Sequence, residues 1–217
     1  MEYIKQLKNI LTNDCLIIGK ESFLNSAVLI PIIILEGKEY LLFEKRSSGV
    51  KQPGEISFPG GHFDPLLDDS FRSTAIRETC EELGLKSEAI DVFGKLGVLV
   101  TPMEILVEAY VGVIRIDDLS VINHDKTEVE KIFIVPLDYF INNQPLEFNT
   151  RLELHPFMIL ENGERKDLLP VKELGLPERY AESWTKGRHR VLVYKTNDET
   201  IWGITAELIY NLVNKLK

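Results

Sequence analysis

At 217 residues, with 27% charged and 44% hydrophobic side chains, the chain has the composition of a soluble globular protein long enough to bury a substantial core. No run approaches the roughly 18 apolar residues needed to cross a bilayer, and the opening MEYIKQLKNI lacks the apolar centre of a secretory signal. A net charge of −9 argues against general nucleic-acid binding, and two cysteines, Cys15 and Cys80, are too few for a disulfide framework, so a cytoplasmic location is the default expectation.

In chain order, periodicity predicts a helix near residues 2–11, an apolar strand over 26–35, a turn at Gly37-Lys38 and a second strand over 40–46, together a hairpin. A helix follows from about Ser70 to Leu83, with Asp68, Asp69 and Ser70 as N-cap candidates and Gly84 at the stop. Strands are expected at 90–99, 105–115 and 130–135, then a short helix over 137–142. The stretch 143–190 is mixed, with strands at 152–160 and 190–194, and Ala206 to Lys217 closes the chain as a helix. One α/β domain over 1–217 is expected, with 143–190 as an insertion or elaboration.

The helix over 70–83 carries the chemistry. Glu78, Glu81 and Glu82 stand at i, i+3 and i+4, within an arc of roughly 100° on one face, so their carboxylates can converge on one volume. Three like charges repel unless a hard cation such as Mg²⁺ or Mn²⁺ sits among them, an ion that also binds phosphate oxygen. Ile76, Cys80 and Leu83 form the apolar stripe expected to press the helix onto a core, with the acids turned away from it. Arg77 lies four residues before Glu81 and can steady the carboxylates by charge-assisted bonds. The histidines, His62, His124, His155 and His189, are scattered without ligand spacing.

The order Gly60-Gly61, a spacer, Arg77-Glu78 and then Glu81-Glu82-x-Gly84-Leu85 resembles the signature box of the Nudix hydrolases. Three departures are visible: the spacer from Gly61 to Asp69 is longer by two residues, Asp69 stands where glutamate is usual, and Thr79 replaces an aliphatic residue. The resemblance implies a mixed β-sheet between helices in an α/β/α sandwich. It also implies metal-dependent hydrolysis, with Glu78, Glu81, Glu82 and the backbone carbonyl of Gly60 holding Mg²⁺ or Mn²⁺.

The flanks resemble the coenzyme A diphosphatase branch of that family. Leu41-Leu42 through Arg46-Ser47, a basic spacer with Lys51, then Gly54-x-Ile56-x-Phe58-Pro59-Gly60-Gly61 and Asp64 follow its pattern, as do Val100-Thr101-Pro102 and Ile201-Trp202-Gly203-Ile204-Thr205-Ala206. The substrate implied is a small nucleotide, coenzyme A or an acyl derivative, cleaved to 3′-phosphoadenosine 5′-phosphate and a phosphopantetheine. Arg46 and Lys51 are its candidate phosphate contacts. Glu128 is the first candidate for the acid that activates water, with Glu104 and Glu130 as rivals. An ADP-ribose or dinucleotide pyrophosphatase and a non-catalytic nucleotide-sensing module are the alternatives. Neither nucleic acid nor membrane is an expected partner, and a homodimer stays open.

Overall fold

The computed structural model describes residues 17–217, with the Lys186 side chain set aside. The helix expected near 2–11, and Cys15, lie outside the described residues. A seven-stranded sheet forms the centre. Its main path runs β3 (Ile56–Ser57), β2 (Lys38–Arg46), β1 (Leu24–Leu35), β6 (Ile105–Ile114), β5 (Ile90–Val100), while β4 (Gly60–His62) pairs with β1 and β7 (Val129–Pro136) with β2. The β1–β6 pair is parallel and the remaining pairs are antiparallel, so the sheet is mixed.

Strand β1 shares one edge between two partners: Ser26, Ala27 and Val28 pair with β4, and Ile32 to Leu35 pair with β2. That fork places the glycine turn beside the ends of β1 and β2. The β1–β2 hairpin closes through Glu36 and Gly37, both at positive φ (49° and 72°), as a tight two-residue hairpin turn demands, so the turn lies one residue earlier than expected.

Alternation along the strands feeds two cores. Ile30, Leu41 and Phe43 face one cluster, which is closed by α2 (Leu137–Asn142) and by Ala206, Leu208, Ile209 and Leu212 of α3 (Gly203–Leu216). Leu29, Ile33 and Leu42 face the other, closed by Ala75 and Leu83 of α1 (Phe71–Leu83). Each such fully buried aliphatic or aromatic side chain contributes about 1.5–3 kcal/mol. Helices on both faces of a mixed sheet give the α/β sandwich the sequence resemblance implied.

Two expectations fail for local reasons. The strand expected over 152–160 is broken at Pro156 into β8 (Leu146–Leu154) and β9 (Phe157–Ile159), and the Pro156 carbonyl instead accepts the N–H groups of Leu168 and Leu169. The strand expected over 190–194 extends to Trp184–Lys195 as β11, because it pairs along β8 on one side and with β12 (Thr200–Trp202) on the other. Between them lies a small hairpin of β9 with β10 (Arg165–Asp167). No helix among the described residues is long and apolar enough to cross a membrane.

Candidate active site

The glycine turn is built by close approach. Gly60 sits at φ 155°, and a Cβ there would lie 2.3 Å from the Ala27 carbonyl oxygen and 2.7 Å from Val28 Cα. A Cβ on Gly61 would meet the Glu78 carboxylate at 2.4 Å. Two bare residues therefore let β4 lie against β1 while the helix acids press onto the turn. Phe58, stacked on Phe43 with ring centroids 5.0 Å apart, anchors the approach to that turn in the core.

Helix α1 starts at Ser70, whose hydroxyl accepts the Ser73 N–H while the Ser73 hydroxyl accepts the Ser70 N–H, and it ends at Gly84 in the left-handed conformation (φ 64°). The expected stripe of Ile76, Cys80 and Leu83 packs on the core, but the most deeply buried line lies beside it. Ala75, Thr79, Glu82 and Leu83 are buried, whereas Ile76 and Cys80 are only half-buried. Small Ala75 and Thr79 bring the helix close to the sheet, and the Thr79 hydroxyl is spent on the Ala75 carbonyl at 2.6 Å. The acids are consequently not all turned to solvent, as the periodicity suggested.

The three glutamates occupy graded environments. Glu82 is 4% exposed and accepts the Gly60 N–H at 2.9 Å through Oε2. Glu78 is half-buried against Gly61, and Glu81 is solvent-exposed. Burial pushes the Glu78 carboxyl above the usual carboxylate range, and burial followed by the Glu44 charge pushes Glu82 much further in the same direction.

Glu44, which the sequence reading passed over, belongs to the same cluster. It is 1% exposed on β2, accepts the Ser57 hydroxyl at 2.9 Å, and is itself pushed up by burial. Its position was legible in principle, since Glu44 lies two residues beyond Leu42 on the strand face that packs under α1. Among the described residues, no three acidic, histidine or cysteine side chains are drawn around one point in ready ligand geometry.

Arg77 ties the helix acids together. Its Nη1 donates to Glu78 Oε1 at 2.9 Å and to Glu81 Oε2 at 3.0 Å, while Nε and Nη2 form a two-pronged pair with Asp68 at 2.9 and 3.0 Å. The Asp68 carboxylate also accepts the Asp64 N–H and the Thr74 hydroxyl. Its neighbour Asp69, which aligns with the glutamate of the signature box, is exposed and plays no part in these bonds. The two-residue insertion shifts the supporting acid by one position. Only its proximity to Arg77 in the fold, absent from any linear spacing, marks it.

The Arg77 guanidinium holds the Asp68 carboxyl down at about 2. A group depressed in the folded state contributes stability above its ordinary value near 3.9 and loses it as pH falls toward 2. With the side chain 1% exposed, that amounts to about 2 kcal/mol at pH 7. Urea unfolding of Asp68→Asn should therefore show a deficit of about 2 kcal/mol at pH 7 that closes as pH falls from about 4 toward 2. A deficit unchanged with pH would assign the loss to packing rather than charge.

The remaining candidates surround this cluster. Glu128 is exposed in the loop before β7, and its charge acts on Glu44, Glu78 and Glu82 together. That loop is tied to the end of β2, because Ser47 donates its N–H to the Glu128 carbonyl and its hydroxyl to the Thr127 carbonyl. Of the rivals, Glu130 is paired with Lys45 at 3.6 Å, and Glu104 sits in the β5–β6 turn at φ 59°. Arg46 is half-buried and its charge acts on Glu44, while its Nε donates to the Lys51 carbonyl at 2.9 Å. Lys51 is exposed. The charges of Arg46 and Glu128 thus act on Glu44, those of Glu78 and Glu128 act on Glu82, and Arg77 pairs with Glu78 and Glu81.

The NUDIX domain matches residues 24–153. The peroxisomal coenzyme A diphosphatase of Mus musculus is 40% identical over 119 residues, 54% of this chain and 49% of that protein. A Nudix hydrolase of Photorhabdus laumondii, called NudL, is 30% identical over 194 residues, 89% of this chain and 85% of its own length. The chain thus spans about half the length of the mouse relative. Among solved structures, a MutT/nudix family protein from Enterococcus faecalis superposes with a TM-score of 0.50, covering 99% of this chain and 68% of the other at 14% identity, a likeness of fold.

Proposed function

The chain belongs to the Nudix hydrolase family, and from that premise we propose that it hydrolyses the diphosphate of coenzyme A or its thioesters with the help of Mg²⁺ or Mn²⁺. The products would be 3′-phosphoadenosine 5′-phosphate and phosphopantetheine or its acyl form. The observation that carries the hydrolytic reading is the closure of the glycine turn onto the helix acids: the Gly60 N–H on Glu82, and Gly61 bare against Glu78. The substrate reading leans on the flanking residues that resemble the coenzyme A branch and on the likeness to the mouse coenzyme A diphosphatase.

The acids fit a divalent ion. Burial and the neighbouring acids push the Glu44, Glu78 and Glu82 carboxyls up, so ionising them together is costly, and a bound divalent ion would offset that cost. Hard carboxylate oxygens are the donors such ions prefer. Glu78, Glu81, Glu82 and the Gly60 carbonyl would hold the ion, which when bound supplies Lewis acidity toward phosphoryl oxygen and water.

The residues then divide the work. Arg77 keeps Glu78 and Glu81 in position through its bonds to both, and Asp68 in turn fixes the Arg77 fork. Gly60 and Gly61 let the turn close on β1 and on Glu78, which fixes the Gly60 backbone beside the acids. Arg46 meets a substrate phosphate as a charged donor, and Lys51 offers a second, longer-range charge. Glu128, exposed at the rim, takes a proton from the attacking water as it adds to phosphorus, and the P–O bond to the departing phosphate breaks.

The experiment is a comparison of kcat/KM for coenzyme A, acetyl-coenzyme A, ADP-ribose and a diadenosine polyphosphate in Mg²⁺ and in Mn²⁺. A preference of at least about tenfold for the coenzyme A compounds is expected. Equal or reversed rates with ADP-ribose would overturn the substrate while leaving the hydrolase class in place.

A further inference from the structure

Glu44 presents a buried oxygen with nothing to bond. Oε1 accepts the Ser57 hydroxyl at 2.9 Å, but Oε2 is enclosed and meets no donor among the described residues. Ser57, which donates to Glu44, and Gly60, which donates to Glu82, stand three residues apart in the same stretch of chain, so two buried carboxyls converge on one short segment. Two carboxylates cannot bond each other unaided, since both are acceptors; something positive must stand between them.

Among the described residues, no cationic side chain does so. Arg77 is committed to Asp68, Glu78 and Glu81, and Arg46 directs its Nε to the Lys51 carbonyl. A buried acid left without a partner is costly, and a pair of them more so. The arrangement is also held in place. Ser57 fixes one oxygen of Glu44 and so aims the other, and β3, which carries Ser57, is pinned from outside by the Thr205 hydroxyl on the Ile56 carbonyl at 2.9 Å. An orienting donor behind a carboxylate is the usual support of a metal ligand.

We propose that Glu44 is a further ligand of the divalent ion, sharing it with Glu82, and that Ser57 is its positioning residue. This assignment rests on the reading of the helix acids as a metal site, and adds to it a residue from β2 that lies outside the glycine–helix box. It also accounts for a fully buried acid two residues beyond Leu42 on the strand face toward α1.

The test is Mn²⁺ binding by isothermal titration calorimetry and by the Mn²⁺-induced rise in Tm, on the wild type, Glu44→Gln, Ser57→Ala and Glu82→Gln. Glutamine keeps the shape of Glu44 and an oxygen for the Ser57 hydroxyl, so the variant retains its fold. The expected result is Mn²⁺ affinity at least about tenfold weaker in Glu44→Gln and weakened also in Ser57→Ala, with the metal-free Tm of Glu44→Gln at or above that of the wild type. Wild-type Mn²⁺ affinity in Glu44→Gln, alongside weakened binding in Glu82→Gln, would overturn this assignment alone and leave Glu44 a buried acid. Absence of Mn²⁺ binding by the wild type would overturn the metal-site reading together with it.

Discussion

Glu82→Gln is expected to lower kcat on the order of 10³-fold while the protein stays folded. The side chain is 4% exposed, and its Oε2 takes the Gly60 N–H, so it links the helix to the turn and stands at the centre of the acid cluster. Glutamine preserves the volume and an oxygen for that N–H but removes the charge. Stability should not suffer, because the substitution also relieves the repulsion between Glu82 and buried Glu44. The measurements are kcat at saturating coenzyme A and metal, with near-ultraviolet circular dichroism to check tertiary packing. Turnover within a few-fold of wild type would remove Glu82 from the mechanism.

Gly60→Ala and Gly61→Ala should separate stability from activity at adjacent positions. At Gly60 the new Cβ meets backbone atoms of Ala27 and Val28 at 2.3 and 2.7 Å, and neither strand can retreat without breaking the β1–β4 pairing. A loss of about 3 kcal/mol or more in urea unfolding is expected, with loss of activity following from it. At Gly61 the obstacle is the far end of Glu78, 2.4 Å away, and a flexible side chain can swing aside. Gly61→Ala should therefore stay within about 1 kcal/mol of wild-type stability while kcat falls about a hundredfold, because Glu78 is displaced. The reverse pattern, an unstable Gly61→Ala and a stable Gly60→Ala, would contradict this account of the turn.

The regular elements were legible where one physical signal dominated. Two apolar runs in 26–35 and 40–46, separated by a glycine turn, predicted β1 and β2, and the polar N-terminus of α1 with Gly84 at its end predicted that helix to within a residue. Short strands were not legible. β3 and β4 span two and three residues and exist because β2 and β1 offer them an edge, and no periodicity survives in so few positions. Pro156 was the missed breaker in the 152–160 stretch, a residue whose lack of an N–H is visible in the sequence itself.

Within the candidate site, the sequence pointed to residues linked by helical spacing and lost those linked only through the fold. Glu78, Glu81, Glu82 and Arg77 are neighbours along α1, and Arg77 pairs with Glu78 and Glu81, whereas Glu82 turns to the Gly60 N–H. The inward rotation of Glu82 was not foreseen. Ile76 and Cys80 pack on the core as their apolar spacing predicts, while the small residues Ala75 and Thr79 beside them are the more deeply buried. Asp68, read only as an N-cap candidate, meets Arg77 through the geometry of a loop, and Glu44 reached the cluster across a strand.

The most direct measurement is product analysis of coenzyme A incubated with the protein and Mg²⁺ or Mn²⁺. The account predicts 3′-phosphoadenosine 5′-phosphate and phosphopantetheine in equal amounts, with neither formed when the metal is chelated and almost none in Glu82→Gln. Intact coenzyme A under conditions in which ADP-ribose or a dinucleotide is consumed would contradict it.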